Sequence, residues 1–563
     1  MKKRIIATFA ATVMLCAVPL AGCGERGRSI GDTEQSLEVY VWDAGYGSQW
    51  MWDMLDAFAE QDWVQEKYPE LEYDVTANDL NNFASDRINS RTTTIDLFNG
   101  ANIGTLWETG NLLDITETVY NQKVPGEDVY FKDKMPASIL ESVAAPTSTE
   151  EDMQYFAIPG PSSMGGLVYN VTLFDELGLE VPNTTDELFE LCETVYNLGG
   201  ENEAYSHTHT FISTKVGYMT YMFPVWWAQY EGAEQYKNYY NGVYYDAASG
   251  RTYNNDVRTV SQQGRLESLE ILEEIYRGHD GGYFDESSVA NEYIQGQTQM
   301  FLRNGLIIAC GDWFSTEMRE LAADYAAEGY TDTMGFMNAP VISSIIDKCT
   351  TITDANAQKI GLEDADALLS AVVEAVDNGD TAPAGDLVTA GVSQTDFDAI
   401  RNARGIIYSI AGNEVTAITE YSNAKELACD FLLFMATDEA NEVYSTSNYG
   451  TQRVFNWNLK EKAPELDSYL SENFGNTYRI QQDRAKMWEA DNAYVLPWYG
   501  NYPLYVYGNL KALNGDYENF EATYIDAGRA DVHAEDIWQN SSDYWTLNNN
   551  SRWNTALRNA GLV

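Results

Sequence analysis

The sequence predicts an α/β protein built as two lobes. Three observations carry that expectation. Strand-like and helix-like segments alternate from Leu37 onward. The alternation begins again near Tyr155. Roughly 530 residues follow the amino-terminal leader and its tether, more than one hydrophobic core usually serves. A strand, helix, strand rhythm of this kind implies parallel sheets with helices on their faces.

The leader comes first. Lys2, Lys3 and Arg4 precede an uncharged, mostly apolar run from Ile5 to Leu20, which is too short to span a bilayer comfortably and reads as a secretory signal over residues 1–22. It closes with Leu20-Ala21-Gly22-Cys23, small residues before a cysteine, which resembles the bacterial lipobox. That resemblance implies cleavage before Cys23 and lipidation of its thiol, so that the chain is anchored at the extracellular face of the bacterial cell membrane without spanning it. Residues 23–36 are polar and lack apolar periodicity, the composition of a flexible tether.

From Leu37 to Trp42 the chain is β-rich, and Gly45 and Gly47 permit a turn after it. Ser48 then offers an N-cap to a helix whose apolar residues fall at Met51, Met54, Leu55, Phe58 and Ala59. Leu71–Thr76 and Thr94–Phe98 read as the next strands. In the second series, Tyr155–Ile158 and Leu167–Tyr169 flank the turn-forming Pro159-Gly160-Pro161. Helices follow over Thr172–Leu177 and Thr184–Leu198, the latter with Thr184 and Glu187 at capping-box spacing. Arg265–Tyr276 has helical spacing, Leu306–Ala309 is a short buried strand, and Lys425–Met435 is an amphipathic helix. Asp347–Arg404 is rich in Asp and Ala and has helical stretches.

Composition excludes one large class of partner. The formal net charge is −52, and the signal takes only basic residues away with it. Phosphate contacts need clustered Lys and Arg, so no nucleic acid is expected, and anionic glycans are disfavoured. Cys192, Cys310, Cys349 and Cys429 show no metal spacing and read as mostly buried free thiols. His207 and His209 form an H-x-H with no third ligand nearby, so neither a metal nor a cofactor is expected.

Four ordered blocks, taken together, resemble the carbohydrate-type extracellular solute-binding proteins of ABC transporters. The first is Asp96-Leu97-Phe98-Asn99-Gly100 with Gly110-Asn111-Leu112-Leu113-Asp114-Ile115-Thr116. The second runs from Tyr155-Phe156-Ala157-Ile158-Pro159 through Gly166-Leu167-Val168-Tyr169-Asn170 to Pro182. Phe301-Leu302-Arg303-Asn304-Gly305 with Gly311-Asp312-Trp313 is the third, and Ala428 to Thr437-Asp438-Glu439-Ala440 the fourth. The chain departs from simpler family members by the 347–404 insertion and by a long carboxyl-terminal region rich in Tyr and Trp.

The resemblance implies a two-lobed periplasmic-binding-protein-like fold with a hinge and an inter-lobe ligand cleft. Crossings are expected near Pro159, Pro340 and Glu420. That division gives residues 37–158 plus 341–420 to the first lobe, and 159–340 plus 421–563 to the second. It also implies capture of an oligosaccharide, delivery to ABC permease subunits in the membrane, and a monomer that is not an enzyme.

A sugar presents CH faces and many hydroxyls, so its site needs flat aromatic rings and planar polar groups. In open α/β lobes such groups lie on loops beyond the carboxyl ends of strands. Those loops hold Trp42, Asp43 and Tyr46, then Asn99 and Asn102, then Asp312, Trp313 and Phe314. Trp313 is the expected stacking platform, Asp43 and Asp312 hydroxyl acceptors, Asn99 and Asn102 amide partners, and Tyr46 either stacks or hydrogen-bonds. Trp226 and Trp227 are candidates to line the second lobe, and because adjacent residues on a strand point to opposite faces, at most one is expected to face the ligand. Two rival readings stand beside this one: a same-fold binder of a peptide or other solute, and a secreted glycoside-active enzyme. The sequence has no G-x-S-x-G or H-E-x-x-H motif to support the second.

Overall fold

Along β1 (Ser36–Trp42), Leu37, Val39 and Val41 enter the main hydrophobic core while Tyr40 enters a smaller cluster on the opposite face, as the two-residue period of a strand requires. The computed structural model describes residues 31–43, 45–78, 83–101, 103–145, 148, 152–215, 217–240, 243–246, 248–254, 258, 261–410, 414–496 and 533–539. The signal segment, Cys23, most of the tether and Asn102 lie outside the described residues.

The first sheet is formed by β2 (Glu72–Asn78), β1, β3 (Leu97–Gly100), β12 (Val415–Ile418) and β4 (Ile158–Pro159), in that spatial order. β1 pairs parallel with both β2 and β3, as the rhythm predicts, whereas β12 runs antiparallel to β3 and β4. Helix Gln49–Ala59 covers this sheet with buried Trp50, Met51, Met54, Leu55 and Phe58. Ser48 occupies its N-cap position, although its side chain makes no capping bond.

The second sheet has the order β13 (Tyr494–Leu496), β11 (Ile406–Ser409), β5 (Met164–Asn170), β9 (Gly305–Gly311) and β6 (His209–Ile212), with β10 (Met334–Met337) also on β5. Here parallel pairing holds for β6 with β9 and for β11 with β13 but fails around β5: β9, β10 and β11 all run antiparallel to it. The reason is topological. β5 enters from the first sheet, while its three neighbours return from within the second, so they meet it head to tail. β7 (Val243–Asp246) and β8 (Arg251–Asn254) form a separate hairpin.

Among the described residues the chain passes between the sheets three times: between β4 and β5, between β11 and β12, and between helix Asp438–Ser447, packed on Gln49–Ala59, and helix Pro464–Trp488, packed on β10. The first passage includes Pro159, the last residue of β4. The others replace those expected near Pro340 and Glu420. The 347–404 region, with helices Ala365–Asp377 and Gln394–Arg404, is an excursion of the second lobe that rejoins its sheet at β11. Helix Lys425–Phe434 belongs with the first lobe, where Phe431 and Phe434 meet Phe58 at ring-centroid distances of 5.3 and 5.5 Å. At Gly160 a Cβ would fall 2.2 Å from the Glu414 carbonyl oxygen, so the first two passages touch where only glycine fits. Among the described residues no helix is long and apolar enough to cross a membrane.

Candidate functional site

The carboxyl ends of β1 and β9 and the three inter-sheet passages converge on one buried polar cluster. Asp312 follows β9 directly and is fully buried. Its Oδ1 accepts from the Ser163 hydroxyl in the first passage, from the Met164 backbone N–H at 3.4 Å and from the Tyr46 hydroxyl at 3.4 Å. The Tyr46 hydroxyl also donates to Ser163 at 2.5 Å, which ties the loop after β1 to the first passage. Burial pushes the Asp312 carboxyl up, and Arg484 and the donors around it pull it back.

Arg484, on helix Pro464–Trp488, answers that carboxylate. Its Nε lies 3.5 Å from Asp312 Oδ2, and its Nη1 donates to the Ser162 carbonyl and hydroxyl oxygens at 3.1 and 2.7 Å. Both ends of this pair are shut off from solvent, which makes each dependent on the other. Gln481, one turn earlier, donates to the Asp312 carbonyl oxygen at 2.8 Å and to Ser315 at 2.9 Å.

A second pair lies nearby in the other passages. Burial holds the Glu414 carboxyl up to about 7, opposed by Arg453 and by the Asn99 amide. Burial also brings the Arg453 guanidinium down to about 10, and its Nη2 donates to the Pro159 carbonyl at 3.2 Å. The Arg453 guanidinium sits among the rings of Trp50, Tyr444 and Phe455, at 5.9, 5.4 and 5.5 Å from their centroids. Asn99 is fully buried, and its Nδ2 donates to Thr416 at 3.1 Å.

Several polar atoms of this cluster have no hydrogen-bond partner: Trp50 Nε1, Asn99 Oδ1, Tyr444 OH and Arg453 Nε. They include donors and an acceptor, all cut off from water.

Beside the cluster stands an aromatic group. Trp313 is 7% exposed and packs edge-on against Tyr218 and Tyr221, at centroid distances of 5.7 and 5.9 Å. Tyr221 in turn stacks on Tyr408 at 5.8 Å. The Trp313 ring folds back over Gly311, where a Cβ would come within 1.7 Å of it, so glycine there is a condition of the ring's position.

The expected site residues therefore divide. Tyr46, Asn99, Asp312 and Trp313 come together, although Asp312 already has four protein partners. Asp43 is exposed at the end of β1, and Trp42 packs on the cluster behind the first sheet. Trp226 and Trp227 lie on helix Met222–Glu231, not on a strand. Both are core residues, with ring N–H groups donated to the Pro340 carbonyl at 3.2 Å and to Gln262 at 2.6 Å. Phe314 is fully buried and stacks on Phe301 at 6.1 Å. Sequence reasoning missed Ser163, Glu414, Tyr444, Arg453 and Arg484. Neither arginine carried a local signal, since Arg484 is flanked by Gln482, Asp483 and Lys486 and Arg453 by Thr451 and Gln452. Among the described residues no group of His, Cys, Asp and Glu could hold a metal ion.

Comparison with known proteins gives three findings. Residues 45–305 match the family described as bacterial extracellular solute-binding protein. No curated protein matches the chain. Among solved structures, the fold is similar to that of a chitin oligosaccharide binding protein, at 12% identity, a TM-score of 0.51 and coverage of 91% of this chain and 98% of that one. A solute-binding protein titled RafE in complex with raffinose is similar at 12% identity and a TM-score of 0.51, covering 91% and 99%.

Proposed function

Because residues 45–305 match the family described as bacterial extracellular solute-binding protein, we propose that the chain is such a protein, which captures a neutral oligosaccharide outside the membrane and delivers it to an ABC importer. The observation that carries the proposal is the set of unpartnered, buried donors and acceptors on Arg453, Tyr444, Trp50 and Asn99, where the passages leave the first lobe. A sugar hydroxyl both donates and accepts, so one polyol can satisfy atoms of both kinds. Its CH face meets an aromatic ring.

The open form admits the sugar, both lobes contribute contacts, and hinge motion through the three passages closes over it. The closed form then docks on permease subunits, and no bond of the ligand changes. Membrane attachment runs through lipid on Cys23. Cys23→Ser should therefore move the protein from the membrane fraction to the medium, and retention in the membrane would refute the anchor.

The experiment is calorimetric titration of residues 32–563 with a panel of neutral oligosaccharides that includes raffinose and chitin oligosaccharides, with the sugar recovered and weighed by mass spectrometry. Binding of intact sugar supports capture. Silence across the panel overturns the sugar reading in favour of a peptide or other solute, and shortened products overturn the non-enzymatic one.

A further inference from the structure

Glu317 ends the short helix Phe314–Glu317, four residues after Trp313, so the two side chains emerge on the same side of one turn. Its carboxylate oxygens differ in their surroundings. Oε2 accepts from Nε2 of the fully buried Gln297 at 2.6 Å, which fixes the carboxylate from behind. Oε1 has no hydrogen bond or ion pair among the described residues. It lies against the loop after β1, where a Cβ on Gly45 would be 3.4 Å away. The same Cβ would lie 3.5 Å from Trp313 Cβ and Cδ1, so Gly45 of one lobe faces both Trp313 and Glu317 of the other.

We propose that Glu317 is a specificity-determining residue, whose Oε1 accepts a hydroxyl of the sugar ring that stacks on Trp313. This rests on the oligosaccharide reading above and assigns to Glu317 the acceptor role that the sequence suggested for Asp312. A ring face with a fixed, free carboxylate oxygen at its edge selects a sugar carrying a hydroxyl at one position. Analogues lacking that hydroxyl leave the buried carboxylate unpaired and are rejected.

The charge state of Glu317 gives the test a second readout. Burial holds its carboxyl up to about 7, against the Gln297 hydrogen bond. The groups packed around it are the Tyr218 hydroxyl and the Cys310 thiol, both pushed up by burial and so neutral through the working range. The adjoining helix carries Arg319, which lies over the Tyr449 ring at 3.7 Å and pairs with Glu320 at 3.3 Å, and Asp312 is paired with Arg484. Glu317 titrates near neutrality, and its ionised form is the better acceptor, so its loss as acceptor should lower affinity as pH drops from about 8 to about 6.

Wild type and Glu317→Gln are titrated with raffinose and a chitin oligosaccharide at both ends of that range, and thermal unfolding confirms that the isosteric variant is folded. The expected result is a tenfold or greater loss of affinity in Glu317→Gln at pH 8 together with a flattened pH profile. Unchanged affinity, or weakened binding that keeps the wild-type pH profile, overturns the role of Glu317 while leaving the sugar reading intact. A wild type that binds these sugars with no pH dependence also overturns it, and needs no variant to do so. Failure of the wild type to bind any sugar removes both readings together.

Discussion

Asp312 and Arg484 face each other with side chains 0% and 2% exposed, and neither has water to fall back on. Breaking such a pair by removing one partner costs about 3–5 kcal/mol, because the survivor stays buried and charged. Arg484→Met should accordingly lower the midpoint of chemical denaturation sharply. Adding Asp312→Asn should restore much of the loss, and a double variant no better than the single would refute the coupling. Trp313 belongs to the ligand side of the same region. Trp313→Ala should weaken sugar binding by about 1–3 kcal/mol if the ring stacks on the ligand, as read by calorimetry. Unchanged affinity in a folded variant would return Trp313 to the core. The candidate residues were legible in the sequence only where a strand ends in a loop. Asp312 and Trp313 follow β9 as expected, but the hydrogen bonds that occupy Asp312 come from residues 163, 164 and 46, which no local pattern connects to it.

At the scale of elements, local chemistry set most boundaries. The predicted helix from Thr184 forms as Thr185–Glu201, and the Thr184 hydroxyl oxygen accepts the Glu187 N–H at 3.2 Å as capping spacing implies. Glu187 does not reach back to Thr184 itself but accepts from the Asn183 N–H at 2.6 Å. The Thr184 hydroxyl meanwhile donates to Asp366 of the insertion at 2.7 Å, so one residue caps a helix and fastens a neighbour. Thr184→Ala should cost about 1 kcal/mol from the cap and up to a similar amount from the lost bond to Asp366, measured as a lowered unfolding midpoint. An unchanged midpoint would mean that neither bond stabilises the fold. Trp226 and Trp227 mark the limit of local reading. An apolar run such as Met222-Phe223-Pro224-Val225-Trp226-Trp227 fits a buried strand or a buried helix equally, and packing between helix Gln263–Gly281 and the second sheet made it a helix.

Over the whole molecule, burial has raised several carboxyls together: Asp96 and Asp366 to about 6, Glu317 and Glu414 to about 7. A raised carboxyl binds its proton more tightly folded than unfolded, so these groups stabilise the fold below the ordinary carboxylate range and lose that contribution as pH rises toward 7. Asp396 and Asp438 are lowered, and their contribution is fully present above the ordinary range and lost only below it. The net charge of −52 adds self-repulsion as carboxyls ionise. Thermal unfolding at constant ionic strength should therefore give a higher Tm near pH 5 than near pH 7.5. A Tm that rises with pH across that window would contradict the burial of these carboxyls. The sequence by itself determined the alternating α/β elements, because periodicity and turn chemistry are local properties. Only the tertiary structure decided where the second and third passages lie, which lobe holds the 347–404 insertion, and that Arg453 and Arg484 reach the same interior as Asp312 and Glu414. Those are outcomes of long-range packing, in which residues hundreds of positions apart share one buried volume and must satisfy one another's charges.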